Sequence, residues 1–331
     1  MKQVIVKFKH LTPLHIGTGR ENYDFSASVL QSDVISSALA SIYATHVDSS
    51  GVEKFLNSFI ISSAFPFYED NQAGTHYFLP SPTTKLNMQV ENEEEKDYRK
   101  ELKKLKYIES DIWKSLVDGN QIIVERKQFY GTFLVSKNSI NFHKPFVSRV
   151  NERVKVSRDD QNDTAPFFFD WTYFYQNAGL YCILACEDDT LSIFQELFTT
   201  LSENGIGTDR NIGGGKFDCE FIEKDIIPEV NNPTSSMILS MYIPTQEELN
   251  NIDLENSMYD LQLRGGYISG SEYEQFRHLR KKSIYMFGTG SVFATTQPLV
   301  GKVVDLRPQW NDDTLHPVYR SGKPFVVPVK L

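Results

Sequence analysis

Five of the thirteen residues from Gly205 to Phe217 are glycine, in the run Gly-Ile-Gly-Thr-Asp-Arg-Asn-Ile-Gly-Gly-Gly-Lys-Phe. Glycine adopts left-handed backbone conformations without a steric penalty. It also lets backbone N–H groups approach a phosphate or a base with no Cβ in the way. What flanks the run constrains the fold further. An amphipathic helix is expected over Leu191–Leu201, with Ile193, Phe194, Leu197 and Leu201 as its stripe, stopping at Asn204-Gly205. A strand is expected directly afterwards, from Phe217 to Ile222. The order helix, loop, strand is the reverse of what a nucleotide-binding P-loop or a dinucleotide fingerprint needs, so both are excluded. Arg210 and Lys216 bracket the loop with positive charge, and Thr208 and Asn211 can hydrogen-bond to sugars or base edges. A tight bend is the competing use of such a cluster. It is the simpler reading of Gly17-Thr18-Gly19 and of Gly288-Thr289-Gly290-Ser291.

Along the rest of the chain, Val4, Val6 and Phe8 alternate with more polar positions and predict a half-buried strand, closed by Thr12-Pro13. Ser32 is expected to cap a helix starting at Asp33, an acid suited to the positive helix end, with Ile35, Ala38, Leu39 and Ile42 inward. A short helix is expected over 52–62, and short strands over Phe65–Tyr68 and His76–Leu79. A charged helix is expected over 91–106, with Tyr98, Leu102 and Leu105 on one side. Val124–Val135 reads as one or two strands, 143–166 as a long basic loop or hairpin, and Leu180–Ala185 as a strong strand. Past a linker at Pro228–Pro233, strands are expected at Met237–Ile243, Leu261–Ile268, Ser283–Phe287, Lys302–Leu306 and Pro324–Val329, with one short helix within 245–260. Each half begins and ends on a strand, which hints at a degenerate duplication. The 331 residues suit two domains, 1–229 and 230–331.

Asp plus Glu outnumber Lys plus Arg by 43 to 34, a net charge of −9 that argues against bulk coating of nucleic acid. The charge is segregated, however. From Glu125 to Arg158 eight Lys or Arg face two acids, giving +6, whereas Asp225 to Asp260 holds seven acids and no Lys or Arg, giving −7. Arg277, Arg280, Lys281 and Lys282 form a second basic cluster. Basic segments interleaved with Phe129, Tyr130, Phe142, Phe146 and Phe167 suit an RNA backbone and its bases. Pairing with acids elsewhere in the fold is the alternative. The acidic stretch is expected to face a protein partner or solvent.

Three cysteines exclude a disulfide scaffold. Cys182 and Cys186 would share one side of a strand and read as small buried side chains rather than as a metal pair. No apolar run approaches 18 residues, and the N-terminus opens on a polar strand pattern rather than a signal peptide. A cytoplasmic protein without membrane, metal or cofactor is expected.

The order strand, helix, strand, strand, helix, glycine-rich loop, strand resembles the RAMP superfamily of CRISPR systems, whose signature is carried here by Gly205–Phe217. Further stretches narrow the match. They are His15-Ile16-Gly17, Ser32-Asp33-x-x-Ser36-Ser37-Ala38-Leu39, Phe78-Leu79-Pro80-x-Pro82, Leu105-Lys106-Tyr107-Ile108, Asn151-Glu152-Arg153, Gly179-Leu180-Tyr181 and His316-Pro317-Val318-Tyr319-Arg320-x-Gly322. Together they resemble the fourth-subunit family of the Csm complex, the type III-A CRISPR effector. Ser81 departs from the basic residue expected in that loop.

The resemblance implies an α+β fold of two ferredoxin-like (RRM-like) domains. The second would be degenerate and β-rich, and the first would carry the glycine-rich loop and a long β-hairpin "thumb" insertion near 143–166. It implies an RNA-binding subunit without catalysis, which holds the 5′ repeat-derived tag of the crRNA and meets target RNA near the guide 5′ end. It also implies a link between the large polymerase-like (cyclase) subunit and the backbone subunit. On this chain the RNA-binding candidates are His15, Gly17, Thr18 and Arg20 in the first loop, and Arg149 and Arg153 in the thumb. Arg210, Asn211, Gly213, Gly214, Gly215 and Lys216 come from the glycine loop, and Arg277, Lys281, Lys282, Gly288 and Gly290 from the second half.

A related branch of the superfamily cuts crRNA precursors, usually with a His as general acid or base. A metal-independent ribonuclease needs a base for the 2′-OH, an acid for the leaving oxygen and a cation for the phosphate. His15, Tyr23 and Arg20 could be drawn into those roles, which makes a crRNA-processing endoribonuclease the alternative expectation.

Overall fold

The first strand is buried on both faces, not one. In the computed structural model, which describes residues 1–17, 26–27, 29–70, 74–137, 142–155, 165–268, 271, 273–310 and 313–331, β1 (Lys2–Lys9) is an inner strand of the largest sheet, second from its edge. The chain continues through α1 (Ser32–His46), α2 (Val52–Asn57), β2 (Ile60–Ile61), β3 (Phe65–Asp70), β4 (Gly74–Pro80) and β5 (Met88–Val90). Next come α3 (Glu95–Lys104), β6 (Tyr107–Glu109), α4 (Ser110–Val117), β7 (Ile122–Val124), β8 (Phe129–Tyr130) and β9 (Phe133–Leu134). The long hairpin β10 (Phe146–Lys155) and β11 (Ala165–Phe174) is followed by β12 (Ala178–Cys186), α5 (Leu191–Asn204) and β13 (Asp218–Ile222).

Strands β13, β1, β12 and β3 are neighbours in that order and mutually antiparallel. The pairs Val4↔Leu184, Val6↔Cys182 and Phe8↔Leu180 set the register and put one residue set on a common face. Onto that face pack Ile35, Leu39 and Ile42 of α1 and Phe194, Leu197, Phe198 and Leu201 of α5. Cys182 and Cys186 are buried among these side chains, as apolar residues would be. Burial pushes the Cys182 thiol well above its ordinary value. The opposite face carries Ile5, Tyr181 and Ile183, which join Met237, Leu239, Val327 and Val329 from the C-terminal part in one core. Covering by the second half is what a one-strand pattern could not reveal.

The C-terminal part contains β14 (Ser235–Ile238), α6 (Gln246–Asn251), β15 (Asp253–Met258), β16 (Leu261–Arg264), β17 (Ile284–Phe287) and β18 (Val292–Ala294). It ends with β19 (Val303–Asp305), β20 (Tyr319–Ser321) and β21 (Val326–Val329). Its sheet runs β15-β18-β14-β21 with only the short α6 beside it among the described residues, so the molecule is mixed α+β with a β-rich C-terminal part.

Four local expectations change. The helix expected over 52–62 ends at Asn57, and Ile60–Ile61 pair with β12 as β2 instead. Helix α1 begins at Ser32 rather than at Asp33, and Ser32 makes no cap: its Oγ accepts from the Met241 N–H at 2.9 Å, tying the two halves together. Helix α3 is shorter than 91–106, and of its residues only Tyr98 is fully buried. The sequence reading left 110–117 without an element, yet α4 forms there. Its Trp113, Leu116 and Val117 are buried, and the Trp113 indole N–H donates to the Pro80 carbonyl at 2.9 Å. Eight residues are too few for periodicity to announce a helix.

Candidate nucleic-acid interface

The glycine loop takes its shape from its neighbours as much as from its own sequence. Gly205 ends α5 with φ +76°, and Gly207, Gly213 and Gly215 also have positive φ. The requirement is strongest at Gly215, where a Cβ would lie 1.8 Å from the Ile206 carbonyl oxygen. The loop folds back on itself through Ile206 N–H to the Gly215 carbonyl (2.9 Å) and Gly214 N–H to the Asp209 carbonyl (3.2 Å). Residues 12–17 run alongside. Gly215 N–H donates to the Pro13 carbonyl (3.0 Å) and Thr208 N–H to the His15 carbonyl (3.0 Å). The Thr12 hydroxyl donates to the Gly213 carbonyl and accepts from Lys216 N–H, both at 2.8 Å.

The third participant is the β10–β11 hairpin, ten paired positions long where the sequence showed an aperiodic stretch. Leu14 and Thr172 exchange backbone hydrogen bonds of 2.9 Å, and the His15 Nδ1–H donates to the Asp170 carbonyl at 2.7 Å. Directly opposed residues share a face. Arg149 opposes Trp171, Asn151 opposes Phe169 and Arg153 opposes Phe167. On this face Arg153 lies over the rings of Phe169 (4.8 Å) and Trp171 (5.4 Å) and pairs with Asp209 of the glycine loop at 3.2 Å. Trp171 presses against Gly214, where a Cβ would meet its ring at 2.9 Å. The other face exposes Val150, Val154 and Phe168.

Three segments far apart in sequence therefore converge on one edge. The expected residues His15, Gly17, Arg149, Arg153, Arg210, Asn211 and Gly213–Lys216 all lie there. Thr18 and Arg20 lie outside the described residues, as does the loop end of the 143–166 insertion. Arg149, Arg210, Asn211 and Lys216 are exposed, and among the described residues none of the three cations makes an ion pair. Exposed Ile212 crowns the loop between them. By contrast His15 is buried, its ring packed against Phe169 with centroids 4.4 Å apart, so its side chain supports the junction rather than lining its surface. Gly214 and Gly215 are buried too and act through the loop's shape.

Among the described residues, no hydrogen bond or ion pair brings the C-terminal candidates to this edge. Gly288 and Gly290 are buried in a turn that clamps the halves. The Thr83 N–H donates to the Gly290 carbonyl at 2.8 Å, and Thr289 Oγ1 bonds Gln31 at 2.9 Å. Ser81, the departure from the family pattern, packs its carbonyl against this same turn. Arg277 Nε donates to the Ser271 carbonyl at 2.8 Å, and Lys282 is exposed. Lys281 is partly buried beside Asp33, Arg264 and Arg320.

The +6 segment is also less available than its count implied. Arg126 pairs with Glu93 and with Glu101 (2.7 Å), and Lys127 and Lys137 share Glu125 at 2.7 and 3.1 Å. In the acidic segment, Glu248 points inward. Burial alone would raise its pKa, but the backbone N–H groups of Thr245, Val300 and Gly301 overcome this and hold it below the usual range. Sequence reasoning missed Thr12, Phe169, Trp171 and Asp209. No local pattern marks them: Thr12 meets Gly213 across 201 residues, Asp209 meets Arg153 across 56, and Phe169 and Trp171 act across the hairpin or on the glycine loop.

A profile of the RAMP superfamily matches residues 7–218, and one of the CRISPR Csm4 C-terminal domain matches 231–329. The "CRISPR system Cms protein Csm4" of Mycobacterium tuberculosis is 30% identical over 169 residues, 50% of this chain and 52% of that protein, so the match spans about half that relative's length. The Streptococcus thermophilus protein of the same name is 26% identical over 323 residues, 94% of each chain. In overall fold the chain is similar to one in the crystal structure of a Csm3-Csm4 subcomplex of the type III-A CRISPR-Cas interference complex (TM-score 0.63, 17% identity, 100% of both chains). It is equally similar to one in a Csm1-Csm4 cassette with cA4 (TM-score 0.63, 17% identity, 100% of this chain and 99% of that one).

Proposed function

Because the chain belongs to the RAMP superfamily and carries a CRISPR Csm4 C-terminal domain, we propose that it is a non-catalytic RNA-binding subunit of a type III-A Csm interference complex. In this reading it acts in the cytoplasm, holds the 5′ repeat-derived tag of the crRNA and touches target RNA near the guide 5′ end. It also joins the large polymerase-like subunit to the backbone subunit, a reading supported by its likeness in fold to chains of Csm1-Csm4 and Csm3-Csm4 assemblies. The strand order β13-β1-β12-β3 with α1 and α5 on one face supports a ferredoxin-like first domain over 1–229. The helix-poor sheet supports a degenerate second domain over 230–331.

The observation that carries the proposal is the convergence of the 12–17 loop, the hairpin and the glycine loop, with Arg149, Arg210 and Lys216 exposed along it and, among the described residues, in no ion pair. Phosphates are met by such cations, and splayed bases by neighbouring apolar side chains such as Ile212. The burial of His15 and its bond to the Asp170 carbonyl favour a supporting role over general base catalysis. Lys216→Glu and Gly214→Arg are expected to cut the crRNA retained by the purified complex severalfold, with subunit composition unchanged for Lys216→Glu. Wild-type retention in both variants would refute this assignment. Metal-free cleavage of labelled repeat RNA, abolished by His15→Ala, would favour the nuclease.

A further inference from the structure

Asp33 is completely buried in the first turn of α1 and meets two arginines from the C-terminal part. Arg264 Nε and Nη2 donate to its two oxygens at 3.0 and 3.1 Å, and Arg320 Nη1 also donates to it. Lys281 stands beside them: its backbone N–H donates to the Gly266 carbonyl at 3.0 Å, and its Cε is 3.7 Å from where a Gly266 Cβ would be. Three cationic side chains thus share one carboxylate. The imbalance is not repaired nearby, since among the described residues Arg264 and Arg320 pair with no other acid and Lys281 Nζ has no hydrogen-bond partner. Arg320 is 5% exposed; among the described residues its Nε is buried without a partner, and its Nη2 donates to the Gly265 carbonyl at 3.5 Å. An unpaired buried charged donor is costly, so a ligand that satisfies it binds favourably. Gly265 and Gly266 leave the adjoining backbone without side chains, and they, Arg264 and Lys281 are partly exposed.

We propose that Arg320, Lys281 and Arg264, held by Asp33 at the seam between the two halves, form a subsite for one phosphate group. The ligand is a tetrahedral oxyanion, supplied by an RNA backbone or by a free phosphoester. The RNA source rests on the RNA-binding reading above. Asp33 orients the arginine pair, and the anion takes the remaining donors of Arg320 and the Lys281 ammonium. This gives the C-terminal half its own anchoring point, independent of the glycine-loop edge.

The test uses the full chain and Lys281→Gln, which leaves both arginine partners of Asp33 in place. Binding of a labelled single-stranded RNA is measured against salt, and thermal stability is measured with inorganic phosphate against chloride at equal ionic strength. Lys281→Gln is expected to weaken RNA binding about fivefold at 0.1 M salt. It should also reduce the log–log salt slope by about 0.7, the share of one phosphate contact. Phosphate is expected to stabilise the wild type and not the variant. A phosphate effect without a change in RNA slope would support the subsite with a free phosphoester as its ligand. Wild-type behaviour of Lys281→Gln in both assays overturns the proposal and leaves an internal ion cluster. Arg210→Ala separates the two readings. If it weakens RNA binding while Lys281→Gln changes neither assay, the subsite fails alone. If the wild type binds no RNA but shows the Lys281-dependent phosphate effect, the glycine-loop reading fails alone.

Discussion

The glycine-loop edge and the Asp33 seam both join distant segments, but by opposite means. At the edge, the loop and residues 12–17 are held by backbone hydrogen bonds, and most of the cations stay in solvent. At the seam, the charges themselves make the connection and are buried. A neutral scaffold leaves charge free for a partner. A charged scaffold is costly unless every donor is matched, because desolvation of the ions offsets their attraction. The edge is therefore tolerant of charge substitutions in folding terms, and the seam is not.

The sharpest way to break that contrast is Asp33→Ala. It leaves Arg264 and Arg320 buried and opposed only by each other and Lys281, so a loss of about 3–5 kcal/mol is expected in denaturant unfolding. A loss below about 1 kcal/mol would mean the arginines relax to solvent and the seam is no different from the edge.

Next in size is a pair of glycines. Gly215→Ala forces a Cβ onto the Ile206 carbonyl at φ +68°, for an expected cost of roughly 2–4 kcal/mol. Gly213→Ala, at φ +88° in open space, should cost only about 1 kcal/mol. Equal costs would show that conformation alone, and not close packing, sets the loop.

A pH dependence is expected as well. Burial first, and then Arg320 and Arg264, push the Lys281 ammonium down to about 8, with Asp33 opposing. The unfolded chain then binds more protons than the folded one between about pH 8 and the ordinary lysine value of about 10.4, so stability rises with pH across that window. The rise should be absent in Lys281→Met, as compared by denaturation midpoints at pH 7.5 and 10. An identical profile in the variant would remove Lys281 from the seam's electrostatics.

Much of the fold was legible because its signals are local. The strand of Val4, Val6 and Phe8, the helix ending at Gly205 and the strand at Leu180–Ala185 appear where periodicity and capping chemistry placed them. The hairpin was legible only as a basic insertion, since its ten-residue pairing puts Phe167, Phe169 and Trp171 on one face and Val150 and Val154 on the other. Counting charge was informative about segregation but not about availability, because Arg126, Lys127 and Lys137 find acids within their own neighbourhood.

By itself, then, the sequence determined a glycine-rich loop between a helix and a strand, an α+β chain, and the superfamily to which these belong. Those features depend on residues within a few turns of each other. Only the tertiary structure decided that His15 is a buried support, that Gly288 and Gly290 clamp the halves, and that Asp33 meets arginines 231 and 287 residues away. Charge pairing and burial are properties of neighbours in space, and across such separations no spacing rule encodes them.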